Sequence, residues 1–407
     1  MNRTQNEKIL QIKNETLVVA LTLLIKGGKI VYNLIIENGY VLDPATNDEG
    51  IKTIAIKNDR IVPYDQTIEA KQKINAAGYY VFPGFIDFHT HIYEGCAFAV
   101  KPELLFPYGV TAVVDAGTTG CINFEDFYRN TIQKSMVKIK AYLNISSIGQ
   151  PGGGIEESLD PALFDEDKIA YLIDKYCDTI LGIKIRFSKS LVEDFGIASM
   201  QKTLDLARKL KVAVCVHTTN PPIDAENLVS MLDKNDIYCH MFQGVGSTMI
   251  GENNSVKPEF WEAKKRGVVF DAANGRFNFD YNVALPALKE EFWPDIISTD
   301  LTKLSFNTPG ISPVKNLSFI MSKYLNLGMS LEAIIRAVTT IPAKLMGMEN
   351  EIGTVKEGAA ADLCICKIED TAAEFIDSKS EIRRGDKLFV PKATIVNGEI
   401  VYCCKEL

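Results

Sequence analysis

From Tyr32 onward the chain opens with short apolar stretches broken by turn residues: NLIIENGYVLD, TIAIKNDRIV and INAAGYYVFPG. Asn38-Gly39 and Asn58-Asp59 are expected to make the turns, because Asn and Gly accept the positive φ of tight hairpins. The same style returns at the far end, in ADLCICKI and KATIVNGEIVY, with Asn397-Gly398 as a further hairpin turn. Two strand-rich ends around a long middle predict one small β-sandwich domain assembled from residues 31–81 and 346–407.

The middle, residues 82–345, alternates between two periodicities. Eight apolar, β-branched runs, GFIDFHT, VTAVVDAG, VKIKAYLNI, ILGIKIRF, VAVCVHT, DIYCHMFQG, GVVFDAAN and DIISTDL, are separated by helical stretches such as 199–210 and 258–267. Eight βα units over about 250 residues predict an α/β fold, a (β/α)8 TIM barrel, whose chemistry gathers at the C-terminal ends of the strands. After the eighth run two helices are expected, over 314–327 and from Ser330 as N-cap, and Pro342 falls in the first turn of another.

Composition narrows the function. The chain is 46% apolar and 24% charged, with a net charge of -8 and no basic cluster along one face, which argues against nucleic acid. The longest uncharged apolar run near the N-terminus, Leu17 to Ile25, is too short to span a bilayer, so no membrane partner is expected. Nine cysteines without scaffold spacing suit a reducing cytoplasm. Residues 1–30 read as an appended extension. Lys26 to Val31, KGGKIV, fits a translated ribosome-binding site followed by a GTG start at Val31; the rival is a genuine N-terminal element.

All four histidines lie at expected strand ends: His89 and His91 in FHTH, His217 in CVH and His240 in YCH. Neutral imidazole is the commonest metal ligand. The His-x-His spacing puts two rings on one strand face. Lys184 ends the fourth barrel run, where an ammonium is costly to bury. Reaction with CO2 removes that cost and yields a carbamate able to bridge two cations. Asp300 adds a carboxylate from the eighth run. His89, His91, Lys184, His217, His240 and Asp300 would then converge on one mouth, enough for two metals about 3.5–4 Å apart. Cys215 shares a face with His217 and is open to a ligand role, with core packing its expected one.

At these residues the chain resembles the amidohydrolase superfamily over nearly all of 32–407. The shared motifs are PGFIDFHTH, the fourth-strand lysine, the two later histidines, the eighth-strand aspartate, GTVKEGAAADLCI and IVNGEIV. The resemblance implies that His89, His91, carboxylated Lys184 and Asp300 hold the more buried of two divalent ions, best Zn2+. Lys184, His217 and His240 would hold the other, with a hydroxide between them. It also implies that Asp300 carries the proton from the attacking oxygen to the leaving group. A homo-oligomer is compatible with the superfamily.

Within the superfamily, dihydroorotases usually carry an arginine two residues after the second histidine; here that residue is Tyr93. The runs GIKIR and VTAVVDAGTTG look more like the deacetylase-like, dihydroorotase-like branch. Its members act on small N-acyl amino acids or O-acyl hydroxy acids. The chain departs from that branch at Asn274 and Arg276, at Thr302 after Leu301, and in TTNPP after His217. Arg186 and Arg276 are candidates for a substrate carboxylate, with a loop ion pair as the rival for Arg186. Tyr93 is a candidate oxyanion donor, with packing as its rival, and Asn274 a specificity position. A cyclic amidase of hydantoinase type is the alternative. A non-catalytic hydantoinase-like scaffold is the alternative from another class.

Overall fold

The computed structural model describes residues 31–192, 195–310 and 312–407. The expected N-terminal extension, residues 1–30, falls outside the described residues. The chain begins with strands β1 (Tyr32–Asp43), β2 (Asp48–Lys57), β3 (Arg60–Val62), β4 (Ala70–Asn75) and β5 (Tyr80–Pro83). Seven strands follow in the middle: β6 (Phe85–Thr90), β7 (Val110–Asp115), β8 (Lys138–Asn144), β9 (Ile180–Arg186), β10 (Ala213–His217), β11 (Ile237–Cys239) and β12 (Val269–Asp271). The last three are β13 (Leu363–Ile376), β14 (Ile382–Val396) and β15 (Glu399–Cys403).

Both chain ends enter one sheet, ordered β15-β14-β13-β5-β1-β2-β3, with β4 also paired to β1. The joint is the antiparallel pairing of β13 with β5 from Leu363 to Cys366. Leu34, Ile36, Ile54, Val81, Leu363 and Ile395 bury one face of it. The Asn58-Asp59 and Asn397-Gly398 turns form as expected, with Asn58 and Asn397 at φ 56° and 50°. Asn38-Gly39 does not turn the chain. β1 runs straight through it and its register on β2 slips between Ile36 and Gly39. The reason is close approach: a Cβ on Gly39 would meet Val81 Cγ2 at 2.4 Å. The glycine admits a neighbouring strand rather than reversing its own.

The middle strands form a parallel, curled sheet in chain order, β6 to β12. The eighth apolar run is not a strand. Residues 296–301 instead make isolated bridges, Asp271 to Ile296 on one edge and Thr90 to Leu301 on the other. Ala272 N donates to Ile296 O and Asp300 N donates to His89 O, so the run links both sheet edges. Side chains interrupt its ladder. The buried Asp87 carboxylate accepts from Thr299 N at 3.0 Å and Thr299 Oγ1 at 2.6 Å. Asp300 itself turns left-handed at φ 51°.

Helices cover the outer face, among them 197–210, 258–266 and 317–326. Ser330 caps the helix at 331–338 by accepting from Ala333 N at 3.2 Å. Among the described residues no helix is long and apolar enough to cross a membrane. Alternation along the strands separates two apolar layers. Ile183, Ile185, Val214, Val216 and Tyr238 pack outward under the helices. Ile86, Phe88, Val114, Cys215 and Cys239 fill the interior. The register of β6 on β7 slips between Asp87 and Thr90. That slip lets Phe88 fill the interior while His89 and His91, just beyond, both face the same cavity.

Candidate active site

A cavity of about 410 Å³ opens at the C-terminal ends of the parallel strands. His89, His91, Lys184, His217 and Asp300 line it, with Arg186 and Arg276 towards its mouth. His240 lies behind, its ring centroid 4.3 Å from that of His217 and 5.1 Å from that of His89. The histidines, the lysine and the aspartate singled out in the sequence are therefore neighbours in space.

Three of the rings have one nitrogen engaged by a buried partner. His89 Nδ1 lies 3.1 Å from Asp271 Oδ2. His240 Nδ1 lies 2.7 Å from the carbonyl of Ala273 and so donates to it. His91 Nδ1 lies 2.8 Å from Thr118 Oγ1. The Thr118 hydroxyl spends its proton on Asp115 Oδ2 at 2.7 Å, so it accepts from the ring. These contacts turn the Nε2 atoms of His89 and His91 towards Asp300 Oδ1, at 3.7 and 3.3 Å. His240 Nε2 is buried with no hydrogen-bond partner among the described residues. A buried lone pair without a partner is costly, and a metal ion would satisfy it.

Electrostatics agree with that fit. Burial pushes His240 down to about 4, and His89 and His217 well below the ordinary histidine value. The rings are thus neutral and carry the lone pairs that metal binding needs. Burial also raises the Asp271 carboxyl well above its usual range. A cation on His89 Nε2 would offset that penalty, because the ring then donates Nδ1–H to a carboxylate. His89, His91 and Asp300 offer ligand atoms all within 4.8 Å of one another. The donor set of imidazoles and a carboxylate fits a divalent transition ion.

Lys184 is fully enclosed, its Nζ 3.5 Å from Cys215 Sγ and 3.8 Å from Cys239 Sγ. Burial opposes its charge, but the two sulfurs and Asp300 outweigh that and raise its pKa. Asp300 is clamped from the other side. Asn278 Nδ2 donates to its Oδ2 at 2.9 Å, and Thr219 Oγ1 holds Asn278 Oδ1 at 2.8 Å. The loop over it needs Gly275, at φ 51°, because a Cβ there would meet Asp300 Oδ2 at 2.4 Å.

The other expected substrate residues separate. Arg186 lines the cavity while its Nε is paired with the fully buried carboxylate of Glu157. Arg276 also lines the cavity, its guanidinium over the exposed Phe277 ring. Tyr93 and Asn274 are placed away from the lining. The Tyr93 hydroxyl donates to Asp126 Oδ2 at 2.9 Å and its ring packs edge-on against Phe127. Asn274 is buried and its Oδ1 accepts from Lys323 Nζ at 2.7 Å. Sequence reasoning missed Asp271, Thr118, Glu157 and Asn278. For Asp271 and Asp115 a signal existed: each carboxylate ends an apolar run, as Lys184 does.

Three comparisons place this architecture among known proteins. A deacetylase of Brucella anthropi is 31% identical over 335 residues, covering 81% of this chain and 82% of its own. A crystal structure of an adenine deaminase superposes with a TM-score of 0.83 at 30% identity, over 92% of this chain and all of that one. A crystal structure of a dihydroorotase gives a TM-score of 0.82 at 28% identity, over 91% and 97%. The model of the amidohydrolase family matches residues 80–401, and the chain belongs to that family.

Proposed function

We propose that this chain is a binuclear metal-dependent hydrolase of amide or ester bonds, a deacetylase or acylase of N-acyl amino acids or O-acyl hydroxy acids. The observation that carries the proposal is the unpartnered His240 Nε2 among neutral imidazoles, beside an enclosed lysine and a clamped aspartate. Family membership and the Brucella anthropi deacetylase support the reaction class. Residues 82–345 form the hydrolase barrel in this reading, and 31–81 with 346–407 the small sandwich. All nine cysteines are free, which supports a cytoplasmic location.

His89, His91 and Asp300 would hold one zinc ion, His217 and His240 the other, with a carbamate on Lys184 bridging them. Bound there, the pair would polarise the scissile carbonyl and acidify water towards a pKa of about 7. Asp300 accepts the proton of the attacking water and returns it to the leaving nitrogen or oxygen. Asn278 holds Oδ2 of that carboxylate, so the side chain cannot swing away between the two transfers. Arg276 and the free edge of Arg186 bind the substrate carboxylate at the mouth.

A cyclic amidase is the second reading, favoured by the similarity to the dihydroorotase structure. Against dihydroorotate itself stands Tyr93, bonded to Asp126 where that activity calls for an arginine facing substrate. The non-catalytic scaffold reading expects lost ligands, and all six are present. Zinc-reconstituted protein in bicarbonate buffer, screened against N-acyl D- and L-amino acids, O-acetyl hydroxy acids, hydantoins and dihydroorotate, tests the choice. Turnover confined to the acyl compounds is expected. Turnover confined to the cyclic compounds would move the chain to the cyclic amidases, and none in either set would return it to the scaffold reading.

A further inference from the structure

Beneath the cavity two thiols face each other on neighbouring strands, and the hydrolysis proposed above uses neither. Cys215 of β10 and Cys239 of β11 both belong to the interior apolar cluster and are 2% and 0% exposed. Their sulfurs are 3.3 Å apart. Lys184 Nζ lies 3.5 Å from one and 3.8 Å from the other. A ring nitrogen of His89 completes a group in which the histidine and the two cysteines offer ligand atoms all within 4.8 Å.

These separations have the size of the edges of a coordination polyhedron. Zn–S bonds of about 2.3 Å and Zn–N bonds of about 2.0–2.1 Å at tetrahedral angles give S–S edges of about 3.8 Å and N–S edges of about 3.6 Å. The three edges among Cys215, Cys239 and Lys184, at 3.3, 3.5 and 3.8 Å, lie within about half an ångström of these values, and a His89 ring nitrogen lies within 4.8 Å of both sulfurs. Two sulfurs, an imidazole and, once its proton is displaced, the lysine nitrogen are donors for a thiophilic ion such as Zn2+ or Cd2+ and poor ones for Mg2+ or Ca2+. Packing alone asks only for small apolar side chains at these positions. It does not ask for two sulfurs against an amine.

We propose that Cys215, Cys239 and His89 form a separate site for one thiophilic divalent cation, with Lys184 as fourth ligand once the cation has displaced its proton, available only while Lys184 carries no carbamate. Binding passes the two thiol protons, and any proton on the amine, to solvent, and no electron changes hands. Carbamylation closes the site, because the nitrogen lone pair is then delocalised into the carboxyl group. His89 and Lys184 are shared with the hydrolytic centre, so the two sites exclude each other. The mutual exclusion and the closure by carbamylation rest on the function proposed above; the binding of the cation does not. Metal loaded before CO2 would occupy the floor and leave the hydrolytic centre incomplete.

The test uses the full chain, stripped of metal, in CO2-free buffer, titrated with Co2+ alone. A near-ultraviolet sulfur-to-cobalt charge-transfer band should saturate at about one equivalent. It should disappear in Cys215→Ser and in Cys239→Ser, and fall when bicarbonate is added before the metal. Absence of the band in the wild type would overturn the site, as would a full band in both variants, which would assign it to the other cysteines. If a serine variant does not fold, alanine in its place decides: a full band in Cys215→Ala and in Cys239→Ala overturns the site. A failed turnover screen leaves the band untouched, and an absent band leaves turnover untouched, so the two proposals fail separately.

Discussion

At the floor of the cavity three imidazoles each have one nitrogen engaged by a buried partner, and Asp300 is held on both of its oxygens. At the rim, Arg276 stacks on an exposed Phe277, and Leu304 is 66% exposed. The floor is pinned by groups that pay a desolvation penalty if they let go. The rim is held by contacts that water replaces at little cost. One region is built to fix donor atoms and the other to be altered without unfolding the protein. Loop-borne rims on a rigid strand scaffold divide labour in this way.

The sharpest attack on the division is at Asp300. Asp300→Asn keeps the shape, keeps an oxygen for the metal and removes the basic one. The expected loss is about 10²–10⁴-fold in kcat, with metal content by atomic absorption close to wild type. Unchanged turnover would take the proton-carrying role away from this residue.

Acid probes the floor as a whole. The folded state holds His240 at about 4 against an ordinary value of 6.5, so between these values the unfolded chain binds the extra proton. The stability that His240 contributes to the metal-free protein is therefore complete above pH 6.5 and is lost as the pH falls towards 4. His240 alone accounts for about 3 kcal/mol, from about 2.5 pH units at 1.36 kcal/mol each. Burial of His89 and His217 acts in the same direction, whereas the buried carboxyls of Asp87, raised to about 7, and of Asp271 act in the opposite one, losing stability as the pH rises. Compared at pH 7, 5.5 and 4, the urea midpoint of the wild type should fall relative to that of His240→Gln, and a constant difference would mean the ring is hydrated.

Asp271 is the next step down. Asp271→Asn keeps the volume but removes the charge that orients His89 Nδ1, and metal affinity should fall roughly 10–100-fold with the fold intact. A chelator competition assay reads this directly. Equal affinity would show that the backbone alone holds the ring.

These residues also divide by how far the sequence announced them. His89, His91, Lys184, His217, His240 and Asp300 were legible because each puts a polar, metal-capable group where an apolar run should continue, and burying such a group demands a reason. Strand alternation then told which groups share a face. Asn278 and Glu157 gave no such signal. They sit in polar loops, where a carboxylate or an amide is ordinary, and only the folded backbone brings them onto Asp300 and Arg186. The eighth run misled for a related reason. Its apolar pattern is that of a strand, but Asp87 and Thr299 claim the bonds a ladder would use. Asn38-Gly39 misled because one dipeptide serves both a turn and a bulge, and the choice depends on Val81, a residue far along the chain.

At the rim the expected effects are smaller. Arg276→Ala should raise KM about tenfold for substrates with a carboxylate and leave kcat within about twofold, the signature of lost uniform binding. A substrate lacking the carboxylate should not notice the change. An equal fall in kcat would place Arg276 with the floor.

Tyr93 gives the smallest effect and the finest discrimination, because it stands two residues from His91 yet faces away from the cavity. Its hydroxyl is spent on Asp126, and burial together with that carboxylate raises its pKa to about 12, so it remains a protonated donor throughout the working range. A hydroxyl aimed at Asp126 is not aimed at an oxyanion. Tyr93→Phe keeps the ring against Phe127 and removes one partly exposed hydrogen bond. The expected cost is about 0.5–1 kcal/mol in thermal stability, with kcat/KM within about twofold. A fall of more than tenfold in kcat alone would mean that the side chain turns inward during turnover. The boundary between pinned floor and replaceable rim would then run through Tyr93 rather than beside it.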